Sequence, residues 1–243
     1  KNLKLDKVNV TANSNVGAVV GQNWGTIENC SVSGSVTGLS DNSCVGGIAG
    51  FHRKGSITDC HSSATVTGKA YVGGIAGQSS AIEGTTTITA CYSTGSVTAT
   101  ADIGDSYVGG VVGQNNVGVI LTACYATGNV KGGGSCVGGV VGDNLSTVTA
   151  CYHATGSVAG ASGSTGGVAG RNAPNVTVTA CYWNGTVTND TGIGLNMSNV
   201  GEATKVEGDW TEAMNAMNKA LSGTGWQYVT SSGDAPLTLQ RQN

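Results

Sequence analysis

One feature constrains this chain more than any other: a glycine-rich octet recurs six times. It reads VGAVVGQN at 16–23, VGGIAGFH at 45–52, VGGIAGQS at 72–79, VGGVVGQN at 108–115, VGGVVGDN at 137–144 and TGGVAGRN at 165–172. A second segment follows each copy, from IENCSVSGSV at 27–36 through ITDCHSSATV at 57–66, ITACYSTGSV at 88–97, LTACYATGNV at 121–130 and VTACYHATGSV at 148–158 to VTACYWNGTV at 178–187. The first glycines, Gly17, Gly46, Gly73, Gly109, Gly138 and Gly166, are 29, 27, 36, 29 and 28 residues apart. The cysteines, Cys30, Cys60, Cys91, Cys124, Cys151 and Cys181, step by 30, 31, 33, 27 and 30. Two independent markers on one period define a structural repeat.

Each unit consists of short β-branched segments separated by Gly, Ser, Asn and Asp, with no 3.6-residue apolar spacing, which excludes helical repeats. A unit with two or three strands cannot bury its own apolar face, whereas stacked units share one core. The fold expected is all-β, a parallel β-solenoid (β-helix) of six to seven rungs, roughly 4.8 Å per rung and about 30 Å tall. A six-bladed propeller is the alternative, but a blade needs about 40 residues and four strands. The glycines are expected to allow close backbone approach or positive φ. A phosphate cradle would need a helix after the loop, and a β segment follows instead. Insertions at 80–87 and 99–106 are expected to protrude and to offer binding loops.

Three regions are expected. Residues 1–14, with Leu3, Leu5, Val8 and Val10 alternating, read as an incomplete first rung, and 15–190 as the repeats. Residues 191–243 read as a degenerate rung around Gly192 and Gly194 followed by a C-terminal cap. In the cap, 209–223 is expected to be a helix with Asp209 at its N-terminus and Gly223 at its end. Its apolar stripe, Trp210, Ala213, Met214, Met217 and Leu221, is expected to cover the open end of the rod. Residues 226–239 read as two short strands with a turn through Gly233 and Asp234.

Composition narrows the function. Lys plus Arg 11 against Asp plus Glu 14 gives a net charge of -3, so there is no basic surplus for nucleic acid. Every apolar run is interrupted after four or five residues, too short to span a membrane. The chain opens at Lys1 with no apolar leader and reads as a mature or excised segment.

The recurring VGG(I/V)(A/V)G followed by (I/V/L)TACYxTGxV resembles the GLUG-motif repeats of bacterial cell-surface proteins, including immunoglobulin A peptidases and adhesin-like proteins of gut Bacteroidales. The resemblance covers about residues 15–190, and Trp226 before DAPLTL resembles the usual ending of such arrays. Ala or Val stands here where the family often has Leu before the last glycine. The resemblance implies a β-solenoid and a secreted or cell-surface location. It implies no catalysis, since the repeats of the peptidases lie outside their catalytic part, and no HExxH signature occurs here.

Six of the eight cysteines occupy one repeat position, so their Cα to Cβ vectors run parallel and favour buried thiols over disulfides. Cys44 and Cys136 share the slot of Tyr71 and Tyr107, three rungs apart and unable to bridge. Without CxxC, no zinc site or other cofactor is expected. Tyr92, Tyr125, Tyr152 and Tyr182, with Trp183 beside the last, form a vertical strip that is the candidate ligand surface. Such a strip either binds sugar rings or only stacks between rungs, and stacking is the preferred reading. Glu28 and Asp59 occupy similar turns on adjacent rungs, Asp102 and Asp105 share a loop, and His52, His61 and His153 sit at different repeat positions. No catalytic constellation follows from that spacing. A threonine plane for ice binding, starting from Thr37, Thr67 and Thr98, is interrupted by Lys131. The sequons at Asn144 and Asn184 are of a kind that an Asn-rich and Thr-rich chain makes by chance. The function expected is a non-catalytic extracellular module of a bacterial surface protein, a rigid spacer or adhesive surface for a host protein or glycan. A carbohydrate-active β-helix enzyme is the alternative.

Overall fold

Strands of successive repeats pair in parallel and in register, so each residue lies over its own copy. The computed structural model describes residues 1–101, 106–133, 136–160, 164–198, 201–230 and 236–242. Each rung has four walls. In the third rung these are Tyr71–Gly73, Ala76–Ser79, Thr86–Thr89, and a fourth wall in two arms, Tyr92–Ser93 and Val97–Ala99. Stacked copies give sheets of six, seven and six strands for the first three walls, and the arms of the fourth meet in a twelve-stranded sheet through Ser31–Gly38. The chain is therefore a parallel β-solenoid of six full rungs. An incomplete rung stands at each end: Lys4–Ala12 pairs with Ser31–Gly38, while Ile193–Asn196 and Ala203–Lys205 pair with the sixth rung.

Like stacks on like inside the rod. Val36, Val66, Val97, Val130 and Val158 form one buried column, and Ile27, Ile57, Ile88, Leu121, Val148 and Val178 another. Each such side chain contributes roughly 1.5–3 kcal/mol on burial, and the column is continuous because the register is.

The glycines of the octet serve close approach, not positive φ. A Cβ on Gly73 would overlap Ala76 O, and one on Gly77 would overlap Val45 N, because the first and second walls press backbone against backbone. The left-handed corner lies elsewhere, at the residue before each ladder cysteine: Asn29, Asp59, Ala90, Ala123, Ala150 and Ala180, with φ between 49° and 54°. Alanine is unfavourable there, and a hydrogen bond to the next rung holds it, as from Ala90 N to Thr122 O at 3.1 Å and from Ala150 N to Thr179 O at 2.9 Å.

The C-terminal segment departs from expectation in its position. Its helix spans Thr211–Ala220 with Trp210 at the cap position. Asp209, one residue earlier, accepts from Thr211 N at 2.7 Å and from Thr211 Oγ1 at 2.6 Å. Trp226–Val229 and Thr238–Arg241 form an antiparallel pair, and the expected turn at Gly233 and Asp234 lies outside the described residues. The segment covers the flank of the fourth wall instead of the rod's end. Trp210, Ala213, Met217, Leu221, Tyr228 and Leu237 pack on Ala123, Tyr125, Ala150, Tyr152 and Ala154. Tyr228 donates its hydroxyl proton to Ala150 O at 2.9 Å, and Tyr152 donates to Leu237 O at 2.6 Å. Arg241 reaches Glu28 and Asp59, each at 3.6 Å, so the strap returns to the first two rungs.

The rod's end is filled by other means. The inward row of the fourth wall runs Ser62, Ser93, Ala126, His153, Trp183, facing Gly47, Gly74, Gly110, Gly139 and Gly167. The row begins at Val32 and enlarges only beyond Ala126, to His153 and then Trp183, which is 2% exposed and fills the interior beneath the seventh partial rung. Trp183→Ala should therefore cost about 3–5 kcal/mol in urea unfolding. Removal of 209–243 should lower Tm and make Tyr125 and Tyr152 newly reactive to nitration, mapped by peptide mass. A truncated rod with the same Tm and the same reactive tyrosines would refute the lateral strap.

Candidate functional site

Successive side chains of a strand point to opposite faces, so Tyr182 faces outward and its neighbour Trp183 inward. Tyr92, Tyr125, Tyr152 and Tyr182 are in register. The first three stack with centroids 4.8 Å apart and planes within 4°, and His61 extends the stack at 4.9 Å. As an open ligand strip this set is corrected: Tyr125 is 6% and Tyr152 0% exposed under the strap, and Trp183 is inside the rod. Tyr92 and Tyr182 are half-buried. The column is the seat of the chain's own C-terminal segment, with Trp210 5.2 Å and Tyr228 5.5 Å from the Tyr152 ring.

All eight cysteines are buried and none is in a disulfide. Each ladder thiol donates to the carbonyl two residues before it, Cys91 to Thr89 O at 3.3 Å and Cys124 to Thr122 O at 3.2 Å. Burial pushes the Cys124 and Cys181 thiols well above their ordinary value, which keeps them protonated and unreactive. Cys44 and Cys136 flank Tyr71 and Tyr107 in one column, as their shared slot implied.

The titratable groups are dispersed over the walls. His52 lies in the second wall, His61 points outward from the fourth and His153 inward. Glu28 registers with Thr58, not Asp59, whose counterpart is Asn29 in the left-handed corner. Asp102 and Asp105 lie outside the described residues. Among the described residues no three His, Cys, Asp or Glu side chains gather as a metal-ligand set.

Two ladders on the second wall carry polar chemistry that the sequence reading missed. The inward one, at the last octet position, runs Asn23, His52, Ser79, Asn115, Asn144, Asn172 and Asn196. Asn115 donates to Asn144 Oδ1 at 2.9 Å and Asn144 to Asn172 Oδ1 at 2.8 Å, like-on-like bonding that stops at Ser79, where Asn115 Oδ1 is left without a partner. His52 donates from Nε2 to Thr87 O at 3.2 Å and accepts from Asn23 Nδ2 at 3.0 Å. The outward ladder runs Gln22, Phe51, Gln78, Gln114, Asp143 and Arg171. Gln78 donates to Gln114 Oε1 at 2.7 Å and Gln114 to Asp143 Oδ2 at 3.0 Å. Arg171 grips Asp143 with two bonds of 2.6 and 2.7 Å, and that pairing raises the guanidinium pKa further. Recurrence of Q and N in the octets was the available signal. Amides, an aromatic ring and a cation on an outer face can bind sugar hydroxyls or peptide groups.

Two measurements check this account. Burial holds His52 and His153 down at about 4 against an ordinary 6.5. The unfolded chain then binds more protons between those values. Stability is full above pH 6.5, falls between 6.5 and 4, and loses at most about 3 kcal/mol per histidine. His52→Asn, which supplies the ladder residue of the preceding rung, Asn23, should flatten roughly half of that slope in pH-dependent urea titrations. Thiol counting in denaturant without reductant should find eight free thiols, and four bridges would overturn the stacked-thiol account.

The GLUG motif matches residues 12–37 and 41–67. The fold is similar to the crystal structure of a "putative immunoglobulin A1 protease" from Bacteroides ovatus, with a TM-score of 0.70 at 20% identity over 99% of this chain and 75% of that one. At that identity the likeness is one of fold. No curated protein matches the chain. The chain is thus a parallel β-solenoid that carries the GLUG motif at two of its rungs, with a register that continues the same positions through four further rungs.

Proposed function

We propose that the chain is a non-catalytic, rigid module of an extracellular or cell-surface bacterial protein, which presents its second wall to a glycan or host-protein ligand. The observation that carries this reading is the outward ladder Gln22, Phe51, Gln78, Gln114, Asp143 and Arg171, held in line by unbroken parallel pairing. Rigidity follows from the pairing, since bending the rod would break ladder hydrogen bonds on several walls together. A spacer role needs only that stiffness, and an adhesive role adds the polar row.

A β-helix glycosidase would need two carboxyl groups about 5–10 Å apart and available to substrate. Here Asp143 is clamped by Arg171, while Glu28 and Asp59 face Arg241. These engagements favour the non-catalytic reading. The test is a glycan array and a host-protein pull-down with the intact chain, paired with incubations on polysaccharides and immunoglobulin A1. Binding without cleavage is expected. Cleavage of any of these substrates would reassign the chain to the enzymatic class. Deletion of residues 108–136, one whole unit, should leave a shorter folded rod in small-angle scattering, and global unfolding would refute modular stiffness.

A further inference from the structure

Two arginines on the second-wall face have different fates. Arg171 lies in the outward row and spends its guanidinium on Asp143. Arg53, two residues beyond Phe51, has no acid beneath it. Its guanidinium carbon lies 3.9 Å from the Phe51 ring centroid and 5.4 Å from that of Trp24. Its Nε is buried without a hydrogen-bond partner, and its side chain enters no hydrogen bond or ion pair among the described residues. The neighbouring Lys54 is paired with Glu83 at 3.0 Å, leaving the local charge that of Arg53. Trp24 is 55% exposed. Gln22, exposed, and Gln78 flank Phe51 in register.

We propose that Trp24, Phe51 and Arg53, with Gln22, form a binding site for a carboxylate-bearing sugar ring, a uronic or sialic acid residue of a glycan. Stacking on Phe51 fixes the plane of the guanidinium, so little rotamer entropy is lost when it takes a carboxylate. A ligand carboxylate here supplies the negative charge that Asp143 supplies to Arg171, but at the terminal guanidinium nitrogens, since the Arg53 Nε is buried. The exposed Trp24 face offers the apolar surface on which a pyranose stacks, and the free amide of Gln22 meets ring hydroxyls. An acidic peptide satisfies the charge but leaves that ring face and the amide without a partner. The inference rests on the reading of this chain as a ligand-presenting rod, and it names the ligand class.

The test uses the intact chain, titrated by calorimetry and two-dimensional NMR with a glucuronate-containing oligosaccharide, with 3′-sialyllactose, with neutral lactose and with tetraglutamate. One of the acidic sugars should bind, the better of the two identifying the source of the carboxylate. Arg53→Gln and Trp24→Ala should each weaken that binding about tenfold or more, with the NMR spectrum of the remaining rungs unchanged, which separates loss of the site from loss of the fold. Equal binding of an acidic sugar by both variants would overturn the site. Tighter binding of tetraglutamate, or of lactose, would overturn the ligand class. If neither acidic sugar binds while the array finds another glycan, the site fails and the ligand-presenting rod stands. If the array and the pull-down are also blank, the adhesive reading fails with it.

Discussion

Parallel, in-register pairing forces every side chain to lie against the copies of itself above and below. That requirement governs the chain more than any single contact. Valine, isoleucine and cysteine tolerate their own kind in a buried column, asparagine bonds to asparagine, and tyrosine stacks on tyrosine at 4.8 Å. A charge cannot lie over its own sign, which accounts for a charged fraction of 10%. Where charges pair between rungs, the signs are opposite: Lys1 with Glu28, Asp41 with Lys69, Lys54 with Glu83 and Asp143 with Arg171. Most of these pairs are exposed and worth little. The last is different, because Asp143 is buried and losing Arg171 would strand its charge.

Close contact between the first and second walls sets the shape of each rung. With no side chain between them, the two sheets meet through Gly73, Gly77 and their copies, while Val72 of the first wall and Ala76 of the second join the core. A second glycine row, Gly47 to Gly167, faces the inward positions of the fourth wall and lets their occupants vary from Ser62 to Trp183. The rod is thereby narrow through most of its height and plugged by an indole at one end. The same alternation that sends Trp183 inward leaves its neighbour Tyr182 outside.

The strap completes the molecule laterally. An outward tyrosine column is a large apolar surface, and burying it against Trp210, Met217, Leu221 and Tyr228 stabilises both partners. The rung end needs no such cover, because Trp183 and the seventh partial rung occupy it. The strap lies on the fourth wall, away from the second-wall face on which Gln22 is exposed and Trp24 is 55% exposed.

The repeat by itself determined the architecture, because two markers on one period admit a stacked parallel solution with few alternatives, and like-on-like columns such as the thiol and tyrosine ladders follow directly from that period. It also pointed to the N-terminal partial rung, where Leu5 and Val10 lie over Val32 and Val36, with a register shift between Leu5 and Val8. Tertiary structure alone decided where the C-terminal segment lies, since an amphipathic stripe specifies that a face is buried but not against what. It decided the left-handed corner at Ala90 and its copies, where inter-rung hydrogen bonds override the intrinsic preference of alanine. It also separated Arg53 from Arg171, because which arginine finds a carboxylate depends on the residue one rung away, a neighbour about 28 positions distant in the chain and adjacent only in the folded rod.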